Sequence, residues 1–428
     1  MSNEDLTARP IKRLRWWIVS ALFLSTAINY VDRQTLSVLS PVIIKEFNFT
    51  HEDYSNIVAA FQIAYAGMWL IGGVLMDVVG VRIGLALAMV WWSITGMMTG
   101  LANSLRQFEG LRFLMGMGEG CNWPGASKTV AEWFPGKERG LAVGIFDSGS
   151  SVGAIFAPPF VVFIATHFGW RFAFLTSGTL GFIWLFLWLA LYRPLRTHPR
   201  LGAEERALIV SGQETAEISS ERGAKKWLKL LGQSNTWGIV LGRSLTDPIW
   251  WFYVFWLPQY LSEARGFSLK QIGIFAWIPF LAADLGNLTG GYISGFLIKR
   301  GMAVVRARKW VCVVSSIPIL AGIPAALTSN AYLALFFISI ATWGYASWST
   351  MGLTFPSDLF PRDVVASVTG LSGLVASGIT GTLFTLAVGA LVDKFHSYVP
   401  AFVAAGLVPL LATACVLVLI HAPKAERA

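Results

Sequence analysis

The chain has 428 residues, of which 55% are apolar and 13% are charged. This composition excludes an ordinary soluble domain, and the 19 tryptophans suit a protein with two interfacial aromatic belts. The formal net charge of +9 does not indicate nucleic-acid binding, because the basic residues are spread over loops. Cys121, Cys312 and Cys415 stand alone in apolar segments, so neither a disulfide framework nor a cysteine metal site is expected.

Twelve apolar runs of about 20 residues are long enough to cross a bilayer as helices. A polar stretch, residues 193–235, separates the sixth run from the seventh. We therefore predict an all-α integral membrane protein in which residues 1–192 and 236–428 each form a six-helix bundle and residues 193–235 form a linker. The predicted spans are 15–39, 54–76, 82–102, 105–128, 139–163, 171–192, 237–261, 270–297, 308–328, 331–355, 364–391 and 399–420.

Lysine and arginine are concentrated in the N-terminal tail, the linker, the loops on the same side and the C-terminal tail. Cytoplasmic segments of membrane proteins carry this excess, so both termini and the linker are predicted to be cytoplasmic. The lipid bilayer is then the main surrounding partner, and no nucleic-acid partner is expected.

Five ionisable side chains interrupt the apolar spans. Asp32 and Arg33 lie in the first span, Arg112 and Glu119 in the fourth, and Asp284 in the eighth. A charge near the bilayer centre costs roughly 2.5–3.5 kcal/mol on insertion scales, so such residues usually face a polar cavity and act there. The pattern predicts a carrier that has an anion site and a site that takes up protons.

The two halves repeat a short turn. Gly73-x-x-x-Asp77-x-x-Gly80-x-Arg82 follows the second span, and residues 291–301 occupy the matching place in the second half, where Gly295 replaces the acid. Repeated halves with a site between them are typical of transporters. The first of these turns resembles the signature of the major facilitator superfamily, which implies a twelve-helix major facilitator fold.

Seven motifs carry a narrower resemblance, at residues 29–33, 118–125, 132–139, 148–155, 279–286, 358–361 and 368–373. In these motifs the chain resembles the anion:cation symporter family of that superfamily, and in it the hexuronate branch. The resemblance implies uptake of glucuronate or galacturonate together with protons, no cofactor, a monomer and, with the compact loops, a bacterial inner membrane. Relatives in the same family carry galactonate, glucarate and other sugar acids.

Arg33 is predicted to bind the substrate carboxylate, because a guanidinium is always charged and its planar fork matches a carboxylate. The alternative is a structural ion pair with Asp32 or with a neighbouring helix. The resemblance implies that Tyr30 and Tyr65 contact the sugar acid as well. The second half must supply contacts to hydroxyl groups, and the candidates, with Trp251 and Ser372 favoured, are Trp250, Trp251, Gln259, Trp277, Asn287, Trp348, Ser349 and Ser372.

Glu119 is predicted to carry the proton, because burial in a helix bundle penalises a charged carboxylate. The resemblance assigns the matching residue the same role. The alternative is a permanently charged Glu119 that pairs with an arginine from another span. Arg112 lies two turns earlier on the same helix face, and the resemblance implies coupling to protonation there and a second proton site at Asp32. A purely structural role is the alternative for both residues.

Asp77, Arg82 and Arg139 are predicted to form a latch at the cytoplasmic face, paired in one conformation and separated in the other. These residues are not expected to contact the substrate.

Asp147 and Asp247 also lie in predicted spans, and with Asp284 they need partners there. Arg243 and Asp247 have the i, i+4 spacing of a helical ion pair, which we favour over ligand contacts. Asp284 is expected to pair with Arg243 or to make a polar contact within the bundle. Asp147 is interpreted as a partnered interior acid.

The sequence thus predicts a secondary transporter that imports a monoanionic sugar acid with protons by alternating access. The alternatives are the same machinery carrying another organic anion, such as galactonate, glucarate, a dicarboxylate or an aromatic acid, and a membrane sensor that binds without transport. A strong effect of Arg243 on affinity would favour a dicarboxylate, whereas a sensor would need a signalling domain. An enzyme is not expected, because no nucleophile–base set, metal-ligand cluster or nucleotide loop is recognisable.

Overall fold

The computed structural model describes residues 10–211, 230–360 and 362–422, and this part of the chain contains helices and no β-strand. The first half comprises α1 (Leu14–Phe47), α2 (His51–Val79), α3 (Val81–Thr99), α4 (Leu105–Glu119), α5 (Asn122–Trp133), α6 (Gly136–Phe168) and α7 (Trp170–Leu191). The linker contributes a 3-10 turn (Leu195–Thr197) and α8 (Ala203–Ser211).

The second half begins with a long helix and ends with one. It comprises α9 (Ser234–Glu263), α10 (Leu269–Phe275), α11 (Ile278–Lys299), α12 (Val304–Ile319), α13 (Gly322–Leu327), α14 (Ala331–Leu359), α15 (Arg362–Gly373), a π-helical segment (Leu374–Thr380), α16 (Gly381–Phe395) and α17 (Val399–Leu419).

Within the described residues, nine helices or helix pairs are long and apolar enough to cross a membrane. Of the predicted spans, 54–76, 105–128 and 237–261 are not among these nine. They fall in α2, in α4 with α5, and in α9. Helices α4 and α9 carry buried ionisable residues, which lower their apolar character. The prediction of an all-α membrane protein is confirmed.

Some predicted spans are not continuous α-helices. The span 105–128 bends at Gly120 and Cys121, between α4 and α5. A Cβ at Gly120 would meet the Tyr65 carbonyl oxygen and the Met68 side chain, so glycine lets α4 end close against α2. The span 364–391 widens into the π-helical segment, and such bulges frequently mark functional sites.

Helix α6 packs along α1 at the centre of the first half. A Cβ at Gly149 would meet the backbone of Phe23, and one at Gly153 would meet the Ala27 carbonyl oxygen and the Cβ of Tyr30. Small residues allow helix backbones to approach closely inside a membrane. This contact therefore sets the position of α1 and of Tyr30.

Gly153→Val is expected to destabilise the fold, because the larger side chain would push α6 away from α1. Overpacking of this kind costs about 1–3 kcal/mol. The measurement is the thermal unfolding midpoint of the purified protein in detergent. Gly144→Val, on the same helix, is the matched control, since a Cβ at Gly144 meets no atom within 4 Å. An equal loss of stability in both variants would contradict the expectation.

We call the side of the molecule where α1 begins the linker face, and the side where α1 ends and α2 begins the distal face. At the linker face Arg15 forms ion pairs with Glu138 of α6, at 2.8 Å, and Glu205 of α8, at 2.7 Å. Glu205 also accepts hydrogen bonds from the backbone N–H groups of Leu14 and Arg15. The linker helix is thereby attached to the first half.

The two halves meet mainly at the distal face. Ser37 Oγ donates to the Val254 carbonyl oxygen at 2.7 Å, and the Tyr54 hydroxyl donates to the Phe255 carbonyl oxygen at 2.8 Å. Further hydrogen bonds between the halves lie in this region, and another, from Trp250 to Tyr30, lies at the central cavity. The distal side is therefore closed.

Candidate functional site

A cavity of about 200 Å³ lies between the two halves, on the linker side of the distal contacts. Its walls combine aromatic rings with charged and hydroxyl side chains, which is the composition of a site for a small polar ligand. The lining residues are Tyr30, Tyr65, Trp69, Trp123, Asp147, Ser150, Ser151, Arg243, Asp247, Trp250, Trp251, Ala283, Asn287, Tyr345, Ala346, Ser349, Leu353 and Ser377.

Arg33 lies in an aromatic cage beside this cavity and is fully buried. Its guanidinium carbon is 4.7 Å from the ring centroid of Tyr30, 4.8 Å from Tyr65, 5.0 Å from Phe61 and 5.2 Å from Trp251. Aromatic faces attract a cation, most strongly when water is excluded. Since Tyr30, Tyr65 and Trp251 line the cavity, only one aromatic layer separates it from the Arg33 charge.

The cage brings Arg33 into direct contact with Glu119. Arg33 Nη2 donates to Glu119 Oε2 at 2.9 Å and to Asn29 Oδ1 at 2.9 Å, and Arg33 Nε reaches the same Glu119 oxygen at 3.3 Å. Arg33 Nη1 and Glu119 Oε1 have no hydrogen-bond partner among the described residues. The predicted anion-binding and proton-carrying residues thus form one ion pair, which leaves a donor and an acceptor unused.

Arg112 and Asp32 complete this buried group without forming ion pairs of their own in the described structure. Arg112 lies 4.7 Å from the Phe61 ring and donates to Met115 Sδ at 3.1 Å. Asp32 faces Ser177 of α7 and Trp92 of α3, but neither of its carboxylate oxygens has a hydrogen bond of good geometry within the described part. Asp32 therefore points away from the Arg33 cage.

In the second half, Arg243 and Asp247 form the ion pair that their spacing predicts. Arg243 Nη2 lies 2.7 Å from Asp247 Oδ2, and Arg243 Nη1 donates to Ser372 Oγ at 2.9 Å. Both charged residues also line the cavity, so they are placed to contact a ligand as well, which is the role that the sequence favours less. Ser372 is fully buried behind Arg243 and is not among the cavity-lining residues.

Of the two expectations for Asp284, the structure shows the polar contact within the bundle, with Ser151, and not the pairing with Arg243, which bonds to Asp247 and Ser372. Asp284 lies beside Ser151 of α6 and close to Asp147, so two acids from opposite halves face each other. Asp147 Oδ1 accepts a hydrogen bond from Trp123 Nε1 at 3.3 Å, and the side chain is exposed to the cavity.

The sequence analysis does not predict the cavity position of Asp147, although Ser150 and Ser151, one turn along the same helix, indicate a polar surface there. The other second-half candidates divide into two groups. Gln259 bonds to Glu263, Trp277 to Ile274 and Trp348 to Thr413, all within the second half. Those that line the cavity are Trp250, Trp251, Asn287 and Ser349.

The predicted cytoplasmic latch stays a prediction. Arg82 Nη2 donates to the Leu189 carbonyl oxygen at 2.8 Å, a contact within the first half. The side chains of Asp77 and Arg139 lie outside the part of the chain that the structure describes. Across the described residues, no group of three or more His, Cys, Asp or Glu side chains is arranged to hold a metal ion.

Comparison with known proteins agrees with this architecture. The family model described as "Major Facilitator Superfamily" matches residues 22–381. The chain is 36% identical over 405 residues to a hexuronate transporter of Escherichia coli (strain K12), covering 94% of this chain and 93% of that protein. It is also 36% identical over 283 residues to a galacturonate transporter of Dickeya chrysanthemi, covering 66% and 82%.

Solved structures show the same fold. A bacterial homolog of the human lysosomal transporter Spinster, in an inward-facing and occupied conformation, matches with a TM-score of 0.76 at 18% identity, covering 97% of this chain and 99% of that one. The inward-open xylose transporter XylE of E. coli matches with a TM-score of 0.74 at 14% identity, covering 96% and 97%. The fold and the relatives are those of transporters and not of enzymes, and the chain belongs to the major facilitator superfamily.

Proposed function

We propose that this protein imports a monoanionic sugar acid, a hexuronate such as glucuronate or galacturonate, together with protons across a bacterial inner membrane. The observation that carries the proposal is the buried Arg33–Glu119 ion pair beside a cavity lined by aromatic and hydroxyl side chains. Similarity to hexuronate and galacturonate transporters supports the substrate class. The hexuronate transporter branch of the anion:cation symporter family is the narrower assignment.

Coupling follows from the competition of two carboxylates for one guanidinium. While Glu119 is charged, it neutralises Arg33, and a substrate carboxylate gains little by approaching. When Glu119 takes up a proton, Arg33 is left as a buried charge without a partner, which costs several kcal/mol. A substrate carboxylate restores the pair, so proton binding and substrate binding favour each other. Loss of the proton returns Arg33 to Glu119 and releases the substrate.

The other buried charges would tune this exchange. Arg112 lies close enough to act on Glu119 electrostatically without a direct bond. Asp32 would serve as a second proton site, because it is buried and has no cationic partner bonded to it among the described residues. We propose that Arg112 favours the charged form of Glu119 and thereby helps the proton to leave.

The cavity walls would recognise the sugar ring. Hydroxyl groups of a sugar donate and accept hydrogen bonds, and aromatic faces pack against its C–H groups. Side chains that can accept or donate such hydrogen bonds belong to both halves, so a bound sugar acid would bridge the two halves. The side chains proposed for these contacts are Asp147, Ser150, Trp250, Asn287, Tyr345 and Ser349.

Transport would follow alternating access. The closed distal contacts and the cavity on the linker side correspond to the state in which the site faces the linker face. We assign the linker face to the cytoplasm, on the excess of lysine and arginine in its segments. Rocking of residues 1–192 against residues 236–428 would open the distal side to the periplasm.

Selection for a single carboxylate is proposed to depend on Asp247, which neutralises the arginine that lines the cavity. Asp247→Asn is expected to strengthen inhibition by glucarate, a dicarboxylate, relative to glucuronate by about fivefold, since ~1 kcal/mol of extra attraction gives this factor. The measurement is competition by both acids against labelled glucuronate. The matched control is Asp358→Asn, which removes the ion pair between Asp358 and Arg308 at a place outside the cavity. An unchanged ratio in Asp247→Asn would contradict this role.

The experiment that tests the function is uptake of labelled glucuronate into proteoliposomes with an imposed inward proton gradient. Galacturonate, galactonate, glucarate and succinate are added as unlabelled competitors. Gradient-driven uptake that galacturonate blocks would support hexuronate symport. Inhibition by another acid alone would keep the machinery and replace the substrate, and absence of any sugar-acid uptake by folded protein would reject the substrate class.

A further inference from the structure

A charged contact joins the two halves at the distal mouth, far from the Arg33 cage. His51 begins α2 in the first half, while Glu263 of α9 and Asp393 of α16 belong to the second half. His51 Nε2 lies 2.8 Å from Glu263 Oε2, and His51 Nδ1 lies 2.6 Å from Asp393 Oδ1. A neutral imidazole has one donor and one acceptor nitrogen, whereas the charged ring donates from both. Two carboxylate partners therefore require the charged form of His51.

Both carboxylates are held in place by further bonds. Asp393 accepts hydrogen bonds from the backbone N–H groups of His51, at 3.1 Å, and Glu52, at 2.8 Å. Glu263 accepts from the Tyr398 hydroxyl at 2.8 Å and from Gln259 Nε2 at 3.1 Å. Because the acids are fixed, they can recognise the charge of a ring that approaches from the other half.

The ring of His51 packs against aromatic side chains of the second half. Trp256 of α9 lies against the ring with a centroid distance of 6.5 Å and an interplanar angle of 20°. The ring is half-buried, so solvent protons reach it. The titratable groups that face it from the packed elements are Glu263 of α9, Asp393 of α16 and Tyr398, which precedes α17.

We infer that His51 is a proton-binding site at the distal mouth, and that its charged ring clamps the second half to the first and keeps this mouth closed. The inference rests on the proposed alternation between two states. It adds a proton site that is separate from the Glu119 site and that acts on the equilibrium between states instead of on substrate binding.

The direction of the pH effect follows from linkage. Partial burial works against the charged ring, but the hydrogen bonds and charges of Glu263 and Asp393 outweigh it and raise the pKa of His51. Burial likewise acts against a charged Glu263, yet His51 lowers the pKa of that acid. Both residues lie outside the predicted spans. When the mouth opens, His51 loses both acids and its pKa returns toward its ordinary value.

The closed state therefore binds the proton more tightly than the open state. Stabilisation of the closed state is complete below the ordinary pKa of histidine and is lost as pH rises through the raised value. Each unit of difference between the two pKa values changes the closed-to-open ratio by roughly tenfold. A low pH on the distal side would then favour the state in which the distal mouth is closed and the cavity opens toward the linker face.

The test is a distance measurement by pulsed electron paramagnetic resonance on the full-length protein in lipid nanodiscs. Spin labels are attached at Arg106→Cys and Lys270→Cys, which are exposed residues near the distal ends of α4 and α10. Cys121, Cys312 and Cys415 are first replaced by alanine. Distances are recorded in acidic and in alkaline buffer, without any sugar acid, so that failure of hexuronate transport would leave the result interpretable.

With His51 in place, the long distance of the open mouth is expected to gain population in alkaline buffer. His51→Gln should show the long distance at both pH values, and His51→Lys, which keeps the charge, should show the short one at both. Glu263→Gln combined with Asp393→Asn should behave like His51→Gln. His167→Gln is the control, since this distal histidine bonds to Phe163 and Thr166 of its own helix. A pH response that survives in His51→Gln would overturn the inference, as would a mouth closed in every variant.

Discussion

Replacing Arg33 by lysine is expected to weaken binding of the transported sugar acid by about 10- to 100-fold, even though the charge is retained. An ammonium group is a point donor and lacks the planar fork with which Arg33 reaches Glu119, Asn29 and a further carboxylate. Loss of one charge-assisted hydrogen bond costs about 1.5–3 kcal/mol, which corresponds to this factor. Equilibrium binding of labelled glucuronate to the purified protein measures the change.

The linker face supplies a matched control for this variant. Arg15 is also held by carboxylates, at Glu138 and Glu205, but it lies away from the cavity. Arg15→Lys should leave the dissociation constant for glucuronate unchanged. An unchanged dissociation constant in Arg33→Lys as well would remove Arg33 from the binding site.

Glu119→Gln is expected to abolish proton-driven accumulation of the sugar acid while counterflow of the substrate continues. Glutamine keeps the size of the side chain but neither takes up nor releases a proton. Arg33 is then always available to the substrate, so exchange across the membrane no longer needs a proton step. The measurements are gradient-driven uptake and counterflow in the same proteoliposome preparation.

The pH dependence of binding gives the same variant a second readout. In the wild-type protein, substrate binding should strengthen as pH falls, because protonated Glu119 releases Arg33. In Glu119→Gln, the part of this pH dependence that comes from residue 119 should disappear. Glu138→Gln, which removes a carboxylate from the Arg15 pair instead, is the control. Acid-driven accumulation that persists in Glu119→Gln would remove this residue from the coupling mechanism.

The helical spans were predictable because their signal is local. Twenty consecutive apolar residues need a helix in hydrocarbon, whatever the rest of the chain does. The breaks inside spans were less predictable. The bend at Gly120 depends on how closely α4 approaches Tyr65 and Met68 of α2, a contact between residues more than fifty positions apart. The π-helical segment 374–380 likewise contains no proline that would have indicated a change of helix type.

The charged residues of the candidate site were predictable one by one, but the bonds between them were not. Arg33 and Glu119 were identified separately, each as a charge that an apolar span tolerates only for a function. Their direct bond at 2.9 Å joins residues that are 86 positions apart. Arg243 and Asp247 are the opposite case, because their i, i+4 spacing places the pair on one helix face whatever the tertiary fold.

Composition and residue spacing predict the class of this protein: a multi-pass helical membrane protein with two similar halves and a few buried charges. These properties follow from composition and from spacing along a helix, which act over a few turns. Which charges meet depends on the packing of the helices in three dimensions. This packing paired Arg33 with Glu119, turned Asp32 away from them, and brought His51 between two acids of the other half. Ion pairs between distant helices depend on how the helices pack, and packing is a property of the whole chain.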